Sequence, residues 1–243
     1  MTSARNELFV VTGGTQGIGL AIAQAAATSG RSESVVVVSR HPRGDRAGTW
    51  EHVTADLSTR PGIDAAIDAI RSYQRPVRVL VNNAGAILEN NAFGAVTWEA
   101  MLASIVLHAV APALLTQGLE RELKAAHGAS VINIGSIYGA IPDPEVFAYV
   151  CGKASLPILT AMMAKALAPD VRVNCIAPGH IDTAMTRAAT AEFHQYVVAH
   201  TDVHRLGDPS EVAAVVMFLA SGAAAFLNGT TIRLDGGYWG GVS

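Results

Sequence analysis

A tyrosine and a lysine stand four residues apart in the run FAYVCGKAS (147–155), and a serine closes the run INIGS (132–136) upstream of them. Residues four apart on a helix share a face, so Lys153 would lie beside Tyr149. An ammonium next to a phenol favours the phenolate. That would draw a group titrating near ~10 toward the range where it can give or take a proton. Ser136 follows an apolar, strand-like run and could hold a substrate oxygen by a hydrogen bond. Together the three groups would protonate a carbonyl oxygen as hydride reaches its carbon, or run the same step backwards. Alone, a Tyr-x-x-x-Lys pair is also what an amphipathic helix with a surface lysine produces. The rest of the chain must supply the context.

That context begins with TGGTQGIG (12–19), which follows the apolar run LFVVT and opens a helical pattern. Gly13, Gly17 and Gly19 permit a tight turn and a close backbone approach, and the following helix then points its first amides at a pyrophosphate. The spacing is TGxxxGxG rather than GxGxxG. The second apolar run ends VVVVSRHPR. An acidic residue there would accept from a ribose 2′-hydroxyl and select NAD. Ser39 and Arg40 stand there instead, and a hydroxyl plus a guanidinium suits a 2′-phosphate, which favours NADPH over NAD. Arg43 and Arg46 extend the basic loop, and a solvated Arg40 is the alternative. Asp56 in TADLS could accept from an adenine amino group or be an ordinary turn aspartate. NNAG (82–85) ends another strand: its small residues would let backbone lie against a cofactor, and Asn82 and Asn83 could tie neighbouring loops together.

These motifs need a scaffold that gathers strand ends. Apolar, β-branched runs predict strands at 8–12, 35–39, 78–82, 130–134, 170–176 and 231–234, and longer patterns predict helices at 17–29, 63–73, 97–126, 146–168 and 209–220. Near-continuous Val, Ile and Leu indicates strands buried on both faces. GDPSEVAAVVMFLA carries its own start signal, with Asp208 as N-cap, Pro209 at the first helical position and Glu211 reaching back. Strand–helix alternation implies an α/β fold whose parallel sheet carries helices on both faces, with ligands beyond the strand carboxyl ends. Each motif above falls at such an end.

Bulk composition narrows the class. Of 243 residues half are apolar and 15% charged, and the net charge is −3. This excludes a disordered chain and gives no basic excess for a nucleic-acid partner. One α/β domain spanning 1–243 is expected. Cys151 and Cys175 lack metal or CxxC spacing and are expected to be reduced, in an intracellular and cytoplasmic protein. MTSARNELFVVTGG reads as the start of a strand, not a signal peptide. AMLASIVLHAVAPALLTQGL (100–119) is interrupted by Ser104, His108, Pro112 and Gln117, so a buried helix, perhaps against another subunit, fits better than a membrane span.

The chain resembles the short-chain dehydrogenase/reductase family. The resemblance rests on TGGTQGIG (12–19), DLS (56–58), NNAG (82–85), the serine of INIGS, YVCGK (149–153), NCIAPGHIDT (174–183), RLGDPSEVA (205–213) and GTTIRLDGG (229–237), in order over nearly the whole chain. It implies a Rossmann-type, doubly wound parallel sheet of about seven strands and a homo-oligomer, a tetramer or a dimer. It makes Tyr149 the acid/base, has Lys153 also bind nicotinamide ribose, and has Ser136 orient substrate. The cofactor-contacting set it implies is Gly13, Thr15, Gln16, Gly17, Ile18, Gly19, Ser39, Arg40, Asp56, Leu57, Asn83, Ala84, Gly85, Tyr149, Lys153, Pro178, Gly179, Ile181 and Thr183. The implied reaction is NADPH-linked reduction of a ketone or aldehyde, with an NAD-linked alcohol dehydrogenase or a non-catalytic nucleotide sensor as rivals.

One position departs from the pattern. In LHAVAPALLTQ, His108 stands where the family usually has an asparagine that holds a proton-passing water. A neutral imidazole can donate and accept, so His108 either serves the same relay or is a satisfied buried histidine. Between Thr183 and Arg205, the region 184–205 is expected to form a lid carrying Met185, Phe193 and Tyr196. His194, His200 and His204 have loose spacing and no completing cysteine or carboxylate, so no metal site is expected. SIYGAIPDPEVF (136–147) would form the opposite wall, with Tyr138 and Phe147 as candidate contacts. No cluster of charge marks an acidic substrate.

Overall fold

The computed structural model describes residues 7–30, 33–42 and 50–239. Arg43 and Arg46 of the basic loop, and the first six residues, lie outside the described residues. Seven strands form one parallel sheet: β1 (Leu8–Thr12), β2 (Ser34–Ser39), β3 (Glu51–Thr54), β4 (Val77–Asn82), β5 (Ala129–Ile134), β6 (Val171–Pro178) and β7 (Thr231–Leu234). Their order is β3-β2-β1-β4-β5-β6-β7, so the winding reverses between β1 and β4. Successive side chains of a strand face opposite sides. Leu8 and Val10 accordingly pack into a core with Ile63, Leu80 and Leu115 on one face. Phe9 and Val11 pack with Ile22, Val216 and Leu219 on the other. Each such side chain is worth roughly 1.5–3 kcal/mol of burial.

The helices are α1 (Gly17–Thr28), α2 (Arg60–Ser72), α3 (Trp98–Ile105), α4 (Ala111–Gly118), α5 (Glu120–Lys124), α6 (Phe147–Ala154), α7 (Leu156–Leu167), α8 (Ala184–Arg187), α9 (Ala191–Ala199) and α10 (Pro209–Leu219). Asp208 and Glu211 form the expected capping box at α10. Three features differ from expectation. Strand β3 was not among the expected runs, because at the sheet edge only Val53 of EHVT is buried. The expected helix 97–126 is segmented. Residues Val106–Val110 form a π turn between α3 and α4, in which the Ala111 amide reaches back to the Val106 carbonyl. Pro112 has no N–H for the His108 carbonyl and its ring would crowd that oxygen, so the extra residue of the π turn relieves a conflict at His108. The helix 146–168 likewise divides at Ser155, just ahead of Pro157.

The stretches Trp98–Gly118 and Pro144–Leu167 are long and apolar enough by composition to cross a membrane. In this fold they pack against one another through α3 and α6, beside the strand ends that carry the motifs.

Candidate active site

The turn after β1 is built for close approach. Gly13 has φ +67°, in the left-handed region that favours glycine. A Cβ on Gly19 would overlap the Gly13 carbonyl and the Asn83 amide. Helix α1 starts without a side-chain cap and without an acidic residue in its first turn. Its electropositive end therefore stays open toward the cleft. The Thr12 hydroxyl accepts from the amides of Asn83 (2.9 Å) and Ala84 (3.0 Å), while Asn83 Nδ2 donates to the Thr12 carbonyl (2.9 Å). These bonds join the ends of β1 and β4 at the point where the winding reverses, which is where a parallel sheet opens a crevice. Asn82 Nδ2 donates to Asn133 Oδ1 (2.9 Å), extending the tie to β5. Asn82 and Asn83 therefore do link neighbouring elements.

Two adjoining cavities run along this edge, and Gln16 and Gly85 line both. The first is lined by Gly17, Ile18, Gly19, Asn83, Ser136, Tyr149, Lys153, Pro178, Gly179, Ile181 and Thr183. The second is lined by Gly13, Thr15, Ser39, Arg40, Asp56, Leu57 and Ala84. Every residue expected in the catalytic and cofactor-contacting sets thus falls on one continuous cleft. At its far end Ser39 Oγ donates to the His41 carbonyl (2.8 Å) and lies 2.8 Å from His52 Nε2. Arg40 is exposed at the rim. Asp56 Oδ1 accepts from the Ser58 hydroxyl (2.7 Å) and amide (3.0 Å). Those bonds, with a smaller contribution from Arg40, hold its carboxyl below the usual range. Asp56 is thus both a turn aspartate and a wall of the cavity.

The near end holds the chemistry. Tyr149 lines the first cavity with Ser136 and Lys153, and the Lys153 Nζ is 5.8 Å from its ring centroid. Lys153 is buried and donates from Nζ to the Ile134 carbonyl (2.7 Å). Burial pushes the phenol up and the neighbouring Ser136 hydroxyl pulls it down. Lys153 is itself lowered to about 8 by burial. With its ammonium turned to the Ile134 carbonyl, the site as it stands keeps the phenol protonated, the state a general acid needs.

His108 is also settled by geometry. It is fully buried, and its Nε2 accepts from the Ala86 amide (3.2 Å). Its Nδ1 lies 3.1 Å from Ser104 Oγ, and that hydroxyl donates to the Ala148 carbonyl (2.8 Å). Burial, then the neighbouring Lys153 charge, lowers its pKa to about 3. Both ring nitrogens have partners within the fold, as in a satisfied buried histidine.

Sequence reasoning missed the groups that hold the helix bearing Tyr149. Asn91 Oδ1 accepts from the Tyr149 amide (2.8 Å), and the Asn91 carbonyl accepts from the Ala148 amide (3.1 Å). Nothing in an isolated asparagine far upstream signals such a cap. His180 was missed as well. Its ring meets Tyr138, Phe193 and Tyr238 edge-on, with centroids 5.8, 5.4 and 4.8 Å away. Tyr138 in turn meets Tyr149 at 6.3 Å, so an aromatic wall runs from the Tyr149 phenol to helix α9. Phe147 instead packs on Phe93, 5.2 Å away. Met185 lines the first cavity, while Tyr196 is exposed and stacks on His200. His194 and His200 bond the carbonyls of Thr186 and Tyr196. Among the described residues no group of three or more His, Cys, Asp or Glu converges.

A glycine-turn cleft at the reversal of a parallel sheet, with a serine, tyrosine and lysine at one end, defines a nucleotide-dependent oxidoreductase. The profile of the family described as enoyl-(acyl carrier protein) reductase matches residues 13–239. The chain belongs to the short-chain dehydrogenase/reductase family and is an oxidoreductase of that family. It is 35% identical to the 3-oxoacyl-[acyl-carrier-protein] reductase MabA of Mycobacterium tuberculosis over 230 residues, 94% of this chain and 91% of the relative. A solved 3-oxoacyl (acyl-carrier-protein) reductase of Agrobacterium tumefaciens with NADP bound superposes with a TM-score of 0.87 at 31% identity, covering 97% of this chain and 95% of that one. The ligand-free aldohexose dehydrogenase of Thermoplasma acidophilum also gives 0.87, at 28% identity, covering 96% and 94%.

Proposed function

We propose that this protein reduces a ketone or aldehyde to an alcohol with NADPH, and that Tyr149 delivers the proton. The observation that carries the reading is the convergence of half-buried Ser136 and Tyr149 with buried Lys153 on one cavity, beside a second cavity that presents Arg40. The residues fit the dinucleotide: an uncapped helix end faces the diphosphate position, glycines leave room for backbone approach, and a guanidinium stands at the strand end where a 2′-phosphate would lie. NADPH, when bound, supplies hydride to the carbonyl carbon. Ser136 orients the carbonyl oxygen toward the phenol. Tyr149, protonated in its buried setting, gives its proton to that oxygen as negative charge develops there. Lys153 is positioned to hold the nicotinamide ribose and to lower the cost of the transient phenolate.

The MabA relative and the NADP-bound neighbour support the choice of cofactor and of a carbonyl substrate. A neutral substrate fits the aromatic wall of Tyr138, His180 and Phe193. In this reading 184–205 acts as a lid, with Met185 and Phe193 as its apolar face, and the chain is one domain working in the cytoplasm. It assembles as a homo-oligomer, through exposed Trp98 and Leu102 of α3 and Ile158 and Met162 of α7. Light scattering on a sizing column tests that assembly, a monomer counting against it. The function itself is tested by following NADPH and NADH consumption over ketones, aldehydes, enones and imines. Preferred NADPH consumption with a ketone or aldehyde supports it, and preferred NADH use returns the NAD-linked alternative. Tight nucleotide binding without consumption would favour the sensor.

A further inference from the structure

We propose that His108 is a positioning residue that never carries the reaction's proton: through Ser104 it fixes the backbone bearing Tyr149 to the loop that follows β4. The chain of bonds is continuous and directional. The Ala86 amide donates to His108 Nε2 (3.2 Å). An acceptor at Nε2 requires the hydrogen of a neutral imidazole to sit on Nδ1. The Ser104 hydroxyl spends its own hydrogen on the Ala148 carbonyl (2.8 Å), so at 3.1 Å it receives that of Nδ1. Every donor has one acceptor, and no free lone pair or hydrogen remains on the ring.

The far end of this chain is the peptide immediately before Tyr149. That peptide is held from the other side too, since the Ala148 and Tyr149 amides bond Asn91. The near end is the residue after Gly85, which lines both halves of the cleft. His108 thus spans the two bodies whose spacing sets the distance from phenol to nicotinamide. Its ring also meets the Tyr149 ring edge-on, 5.1 Å between centroids at 84°. Helix α6 packs closely on it: a Cβ on Gly152 would come within 3.0 Å of His108 Cβ and Nδ1. The π turn at 106–110 carries the ring in this register. The titratable groups facing it are Lys153 and Tyr149 of α6, and the lysine charge opposes a second positive charge on the ring. A neutral ring with one fixed tautomer acts as a strut that pH does not switch.

The assignment rests on Tyr149 being the acid/base, but its first test needs no turnover. Nitrogen-15 spectra of the histidine rings in the full chain should show His108 with hydrogen on Nδ1 and bare Nε2, unchanged from about pH 5 to about pH 9. Hydrogen on Nε2, or titration near neutrality, overturns the proposal. The second test separates the two ends. In His108→Asn the amide nitrogen takes the place of Nδ1 and keeps Ser104 but releases Ala86. This variant should exchange its Ala86 amide faster and bind NADPH more weakly. His108→Gln leaves the Ser104 hydroxyl without its Nδ1 partner and Ser104→Ala releases Ala148, and each should lower kcat roughly ten- to a hundredfold through misplacement of the phenol. NADPH affinity should hold within about twofold and the pKa values of the kcat–pH profile should stay in place. Unchanged kcat in Ser104→Ala, or a moved limb in the His108 variants, overturns the proposal. A wild-type protein that consumes no NADPH but shows the expected ring spectrum contradicts the proposed function and leaves the strut standing.

Discussion

At the scale of residues, the account makes Tyr149 and Arg40 separable. Tyr149→Phe removes the proton donor and keeps the ring that lines the cleft. Carbonyl turnover should fall by about 10²–10⁴-fold, while NADPH titration by fluorescence should be nearly unchanged. Arg40→Ala should do the reverse, weakening NADPH roughly tenfold or more with little effect on NADH, since one charge-assisted contact is worth about 1.5–3 kcal/mol. An unchanged NADPH/NADH ratio would count against the assignment. The two residues differ in how much of their setting the sequence reveals. The place of Arg40 was legible, since a residue at the end of the second strand falls on the cleft rim. The setting of Tyr149 was less so: four-residue spacing placed Lys153 near it but could not show that the lysine Nζ donates to the Ile134 carbonyl. Long-range partners such as Asn91 leave no local trace, because their meaning arises only when distant loops meet.

Among elements, the decisive contact is α3 and its π turn against α6. Gly152 is the packing solution there, with His108 and the Ser104 carbonyl each 3.0 Å from where a Cβ would sit. Gly152→Ala should cost about 1–3 kcal/mol by overpacking, read as a lowered urea midpoint, and should also lower turnover because Tyr149 lies on the same helix. A variant as stable and active as wild type would show the contact to be slack. At α10, Asp208→Ala should cost about 1 kcal/mol by loss of the capping box, with no change in NADPH affinity. Helix starts with such local signatures were readable in advance. The segmentation of the long helices was less so: Pro112 and Pro157 are visible in the sequence, yet whether a proline breaks a helix, kinks it or induces a π turn depends on the neighbour it faces. The edge strand β3 escaped for a related reason, since one buried residue leaves no apolar run to detect.

For the whole molecule, buried histidines tie stability to pH. His108 is lowered to about 3 and His180 to about 4, both chiefly by burial. The unfolded chain binds protons at these groups once the pH drops below about 6.5, whereas the folded protein refuses them, so stability falls with acidification between that value and the folded pKa. For fully buried His108 the loss by pH 4 is roughly 3 kcal/mol. Urea midpoints measured against pH should decline over this window in wild type and more gently in His108→Gln; parallel curves would show that the ring is hydrated and titrates freely. The overall architecture was legible because a two-sided parallel sheet writes continuous apolar runs and places its motifs at strand ends. The identity of the carbonyl was not, because the aromatic wall comes from segments that are distant in the chain and carry no motif. The measurement that bears most directly on the central claim is NADPH consumption over a carbonyl panel by wild type and Tyr149→Phe, at enzyme concentrations matched by NADPH binding. The account predicts turnover of at least one ketone or aldehyde by wild type and its loss in the variant despite equal cofactor affinity. Comparable turnover by the two proteins would contradict it.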